Sequence, residues 1–174
     1  MQHFKFLPVV CLCTLALACK RPDPIRLQPT IEEPATLASI VRINDQSTYR
    51  QLLRGFYELE VNSWRWAGPT FDVALGTPPS APKNGAVLFL DFTLAETSMT
   101  TLKSITVAAK VTRTELAPET YTTPGPHEYR REVPAAVFTR DVVDVEFSVD
   151  KFLTPEGDGR NLAVITKAIG LEPK

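Results

Sequence analysis

Ala86-Val87-Leu88-Phe89-Leu90-Asp91-Phe92-Thr93-Leu94 is the strongest strand-forming stretch of the chain. Val87, Phe89, Asp91 and Thr93 alternate with Leu88, Leu90, Phe92 and Leu94, and an alternation of period two divides side chains between the two faces of an extended strand. Residues 141–149 repeat the pattern: Val143, Val145, Phe147 and Val149 fall on one face, and Asp144, Glu146 and Ser148 on the other, a solvated one. Outward from these two, short β-rich runs alternate with turn signals. The sequence predicts strands at residues 37–43, 56–60, 105–111, 119–122 and 127–133, and closing strands at 162–166 and 169–171. It also predicts a hairpin with arms at 64–66 and 70–75, turning at Ala67-Gly68-Pro69. Ser47 is placed to cap a short helical turn over 47–53. Pro78, Pro79 and Pro82 make 76–85 a loop, Ala117-Pro118 interrupts a strand, Pro124-Gly125-Pro126 forces a turn, and 155–159 is another. Short strands at close spacing, with no long amphipathic helix between them, disfavour a parallel α/β fold. They indicate an all-β protein: an antiparallel β-sandwich, jelly-roll-like, as one domain after a signal peptide and a Pro-rich stalk.

Residues 1–18 have the layout of a secretory signal. His3 and Lys5 give a weakly basic start, and the apolar run over 6–18 is broken only by Pro8 and Thr14. That run is shorter than the roughly 20 apolar residues a membrane span needs. It closes in Leu15-Ala16-Leu17-Ala18-Cys19, which resembles the lipobox of bacterial lipoproteins, with Ala16 standing where Leu is commoner. An ordinary signal peptide cut near Ala18 is the alternative. The resemblance implies lipidation at Cys19, cleavage before it, and a permanent anchor of a diacylglyceryl group plus an amide-linked chain such as palmitate, because one chain alone holds a membrane only marginally. Lys20 stands where an Asp would signal inner-membrane retention. The implied place is therefore the bacterial cell envelope, at the outer membrane, on its periplasmic or surface side, in a Gram-negative cell.

Pro22, Pro24, Pro29 and Pro34 follow, and proline at this density favours an extended stalk spanning roughly 45 Å at about 3.1 Å per residue. The expected organisation is a signal peptide over 1–18, a lipidated N-terminus and stalk over 19–36, and a β-sandwich over 37–174. The chain has 3 Cys, at positions 11, 13 and 19, so the domain itself has no thiol, no disulfide and no Cys metal ligand, and relies on its core alone. Composition is 44% hydrophobic and 22% charged, with a formal net charge of −1. Nothing basic enough for a nucleic-acid partner is present, since Lys20-Arg21 and Arg130-Arg131 are too small a footprint.

Catalytic constellations are scarce. The mature chain has one histidine, His127, in a turn where solvent would hold it, and no Gly-x-Ser-x-Gly elbow. Metal ligands reduce to carboxylates. Asp141, Asp144, Glu146 and Asp150 read as a solvated face, and Glu156-Gly157-Asp158-Gly159 has the flavour of a calcium turn without the fuller ligand spacing of an EF-hand loop. No cofactor and no metal are expected, and no Gly-rich phosphate loop occurs. A carboxylate-based enzyme is the least favoured class.

The distinctive stretch is Gly55-Phe56-Tyr57-Glu58-Leu59-Glu60-Val61-Asn62-Ser63-Trp64-Arg65-Trp66, which holds both tryptophans of the chain. In a strand Trp64 and Trp66 face one way and Arg65 the other. Two arrangements satisfy this pattern. The tryptophans are core anchors, with Glu58 and Arg65 a supporting ion pair. Alternatively they form a platform on which sugar rings stack, with Glu58, Asn62 and Arg65 hydrogen-bonding the hydroxyls. With the later Pro124-Gly125-Pro126-His127-Glu128-Tyr129, the stretch is similar to β-sandwich modules of bacterial cell-surface and glycosyltransferase-associated proteins, over about Gly55 to Leu171. The resemblance implies a carbohydrate-binding-module-like architecture in an envelope protein. The expected function is a non-catalytic, membrane-anchored module whose partner is a glycan or an envelope protein, with Tyr57, Glu58, Trp64, Arg65 and Trp66 as the ligand-binding candidates. The alternative is a structural or assembly protein that pairs with others through a strand edge, for which residues 169–171 are the candidate.

Overall fold

The computed structural model describes residues 36–174; the expected signal segment, Cys19 and nearly all of the stalk lie outside the described residues. Nine strands run β1 (Ile40–Arg42), β2 (Leu52–Glu60), β3 (Trp64–Gly76), β4 (Ala86–Leu94), β5 (Ile105–Val111), β6 (Thr114–Tyr121), β7 (Gly125–Val133), β8 (Val142–Val149) and β9 (Val164–Pro173). All pair antiparallel, in the order β6-β5-β8-β3-β9-β4-β7, with β2 beside β3 and β1 beside β9. The fold is an all-β, jelly-roll-like sandwich.

Its two layers share one strand. Arg65–Ala67 at the start of β3 pair with Thr166–Val164 of β9, whereas Thr70–Gly76 pair with Ser148–Val142 of β8 along the same edge. Strand β3 therefore leaves one layer and enters the other at Gly68-Pro69, where the sequence had predicted a hairpin turn. Pro69 has no N–H to place in a ladder, which suits a position where pairing passes from β9 to β8, and strands that switch sheets form the corners of such sandwiches. The hairpin lies earlier. Val61 (φ 43°) and Asn62 (φ 53°) make a tight left-handed turn in which the Ser63 N–H donates to the Glu60 carbonyl at 3.0 Å.

Between the layers the two alternating stretches supply the core as their spacing predicted. Leu88, Leu90, Phe92 and Leu94 of β4 are buried, as are Val143, Val145, Phe147 and Val149 of β8. Aromatic contacts bridge the layers: Phe92 meets Tyr121 edge-on at 5.1 Å, and Tyr129 meets Phe147 at 6.3 Å. Phe71 of β3 stacks on Phe147 at 5.1 Å. Each fully buried side chain of this size contributes about 1.5–3 kcal/mol.

Five further elements depart from expectation. Asp45, not Ser47, caps the 3₁₀ helix Gln46–Gln51, accepting the Ser47 N–H at 2.9 Å; Ser47 already lies inside the helix and supplies the donors. Strand β6 runs through Ala117-Pro118, which a strand at the end of the ladder tolerates because its outward positions need no donor. Its outward carbonyls are satisfied from β7: the Tyr129 hydroxyl donates to Ala117 at 2.8 Å, and the Arg131 guanidinium to Ala117 at 2.8 Å and Pro118 at 3.1 Å. Residues 162–173 do not form two strands: a bulge at Lys167 opposite Asp91-Phe92 keeps β9 continuous. Finally, α1 (Ala81–Asn84) and α2 (Glu96–Leu102) occupy segments where no helix was predicted, α2 seating Met99 in the core.

Candidate functional site

The site grows from the β2–β3 hairpin. Glu60 pairs with Trp64, Leu59 with Arg65, and Phe56 with Ala67, so a bulge places both Tyr57 and Glu58 opposite Trp66. Ala67 and Phe56 face the core, which turns Trp64 and Trp66 to the outside of the sandwich. Both indoles are half-buried and neither joins the hydrophobic core. They meet edge-on with ring centres 6.2 Å apart. Gly55, just before the bulge, has φ 80°, and a Cβ there would lie 2.1 Å from the Thr70 carbonyl oxygen, so only glycine lets β2 approach β3 this closely.

Tyr57 is held from the far end of the chain. Its hydroxyl accepts the Asn161 N–H at 2.9 Å, and the Arg160 guanidinium lies 5.5 Å from its ring centre. Arg160 in turn grips Asp158 through two bonds of 2.5 and 2.8 Å and Glu60 through one of 3.0 Å. The hydrogen bonds from Arg160 hold the Asp158 carboxyl below its usual range, and those it gives to Asp158 and then Glu60 push Arg160 further up. Since Glu60 shares a face with Trp64, the paired tryptophans, Tyr57 and the Glu60–Arg160–Asp158 cluster make one surface.

Arg65 is not on it. Its guanidinium donates to the Tyr57 carbonyl at 2.8 Å and lies 4.7 Å from the Tyr49 ring centre, bracing β2 from the other side. The expected Glu58–Arg65 ion pair does not form, because the bulge carries the two residues out of register. Glu58 is exposed and has no ion-pair partner among the described residues. Of the five candidates, the structure gathers Tyr57, Glu58, Trp64 and Trp66 around one surface and puts Arg65 beneath it. Sequence reasoning missed Glu60, Asp158, Arg160 and Asn161 as companions. No local signal joins residues 57 and 161; only the path of β9 back to β3 does. The calcium-like turn was the one hint, and there the Asp158 carboxylate is committed to Arg160 instead.

His127 is half-buried rather than solvated. Its ring lies 4.9 Å from Tyr121 and 5.7 Å from Phe92, and Nε2 is 2.8 Å from the Thr123 carbonyl, so the turn folds the imidazole back onto aromatic neighbours. Among the described residues, no cluster of metal-ligating side chains occurs and no helix is long and apolar enough to cross a membrane.

No protein family matches the sequence, and no curated protein matches it. Solved structures similar to it include a carbohydrate-binding module, CBM51-2 in complex with GlcNAc, of Clostridium perfringens ZmpB. The identity is 11% over 78% of this chain and 28% of that one, with a TM-score of 0.38. A second is a CBM4 structure, at 13% identity over 78% of this chain and 85% of that one, TM-score 0.37. A third is a GH31 alpha-xylosidase from Xanthomonas citri, at 14% identity over 77% of this chain and 14% of that one, TM-score 0.24. The chain thus spans about a quarter of the ZmpB structure and most of the CBM4 one. At these scores the likenesses assign neither a family nor a binding surface.

Proposed function

We propose that the domain is a non-catalytic glycan-binding module, tethered to the bacterial envelope by lipid at Cys19 through the Pro-rich stalk and acting at the outer membrane. The observation that supports it is the outward pair Trp64 and Trp66. Both indoles lie outside the hydrophobic core and keep part of their area in solvent, where a ligand can cover it. Their flat rings suit the C–H faces of pyranoses, while the neighbouring Glu58 carboxylate accepts bonds from hydroxyls. Fixed Tyr57 and the Glu60–Arg160–Asp158 cluster hold the surface rigid before ligand arrives, which reduces the ordering cost of binding.

The competing role, strand addition at an edge, loses its candidate. Residues 169–171 lie in the middle of the sheet, paired with β4 on one side and β1 on the other. The free edge of β2 carries three register shifts, which oppose strand addition.

The deciding variant is Trp64→Ala with Trp66→Ala, assayed by affinity electrophoresis in polysaccharide gels alongside circular dichroism. The expected result is loss of retardation of about tenfold or more in affinity with the β-sheet spectrum and cooperative melting kept. Unfolding of the double variant would make the indoles structural, and unchanged retardation would move the site elsewhere.

A further inference from the structure

The Trp66 position continues across the sandwich as a row. Trp66 pairs with Ile165 of β9, Ile165 with Thr93 of β4, and Thr93 with Pro126 of β7, while Tyr57 and Glu58 of β2 close the other end. Directly opposed residues in antiparallel strands share a face. That face is the outer one, because the flanking Phe92, Leu94, Val164 and Thr166 are buried. From Trp66 to Pro126 the row carries no charge, running through half-buried Trp66, Ile165 and Thr93 to exposed Pro126. The parallel rows are different: they carry Asp91 opposite Glu128, then Arg130, which pairs with Glu128 and Glu172. The track is thus one residue wide and five strands long, uncharged from β3 to β7 and closed at β2 by Tyr57 and Glu58.

We propose that this track is the binding site for an extended glycan chain lying across the strands, with Trp66 as its anchor and Ile165, Thr93 and Pro126 as further sugar positions. The inference rests on the glycan-binding role proposed above and specifies an internal stretch of polysaccharide over a single terminal sugar. Five strands spaced about 4.8 Å apart give a track of roughly 19 Å, room for about four pyranoses in a linear chain. The row lies on the outer face, away from the cavity of about 620 Å³ at the other end of β3, lined by Leu37, Gly76, Thr77 and Val142 among others.

The test measures affinity of the domain for β-1,4-linked glucose, xylose and N-acetylglucosamine series from mono- to hexasaccharide, by calorimetry. The expected result is affinity that climbs about tenfold or more between di- and tetrasaccharide and then levels off. Thr93→Arg, which stands a long side chain across the track, removes that gain. Pro126→Arg, at an exposed edge position, does so more weakly and guards against a folding defect in the first variant. A monosaccharide bound as tightly as the tetrasaccharide, or a length gain indifferent to both variants, overturns the track and leaves the glycan role standing. No binding by any member of the three series, with no retardation in polysaccharide gels, overturns both.

Discussion

The two outer faces of this sandwich obey the same pleat and end in opposite chemistry. Across one layer, Arg54, Asp72, Glu146, Lys110 and Glu115 stand opposite one another on β2, β3, β8, β5 and β6, each the cross-strand partner of the next. Arg54 bonds both Asp72 and Glu146, and Lys110 reaches Glu146 at 2.8 Å, so the charges answer one another within the sheet. Across the other layer, the equivalent line is Trp66, Ile165, Thr93 and Pro126, with no polar partners of its own. That charged row is paired within the sheet but for one buried Asp72 oxygen, and water covers the rest. The uncharged row has no such partners, and on the role proposed above its complement is a ligand.

The comparison breaks most violently at what both faces rest on. Phe147→Ala removes the ring stacked between Phe71 and Tyr129 and should cost about 3–5 kcal/mol in urea unfolding. A loss no larger than that of the double tryptophan variant would mean that the outer indoles are structural after all. A smaller effect, of opposite sign, belongs to Val61. It is exposed, β-branched and in the left-handed region at the tip of the hairpin that presents the tryptophans. Val61→Asn should stabilise by about 1 kcal/mol, and binding should hold steady if the turn serves only to close the hairpin. The smallest effect concerns the charged row. The Lys110 hydrogen bond holds Glu146 below its ordinary value of 4.5. Its stabilisation is therefore present above that value and lost as pH falls through the lowered one. Glu146→Gln should lower the urea midpoint slightly in dilute buffer near neutrality, and not in about 1 M salt, where surface charges are screened. A salt-independent loss would mean the row does more than occupy solvent.

Much of this was legible in the chain. The valines and Phe147 of β8 and the leucines of β4 point inward as their period of two requires, because each strand has one face on the core. Prolines misled. Pro69 and Pro118 read as breaks, yet a missing N–H matters only where a partner strand would have used it, and both sit where pairing changes hands or ends. The site was legible only in its local half. Tyr57, Glu58, Trp64 and Trp66 come from one hairpin, whereas Arg160 and Asn161 join them through topology that no spacing encodes. The bulge that displaces Glu58 from Arg65 left no mark in the sequence beyond Gly55.

Strand β3 has one more consequence. It carries the tryptophans at its first turn of ladder and, at its last residue, donates the Gly76 N–H to the Ala38 carbonyl at 2.9 Å, beside the point where the chain enters the domain. On the proposed role, a pull between a ligand on Trp66 and the chain entering at Ala38 would pass through β3 and through β1, which pairs with β9. The hydrogen bonds of β3 to β2, β8 and β9 lie crosswise to that line and share the load together instead of opening one at a time. On that role, tension between a bound glycan and the anchored chain would load these bonds in shear.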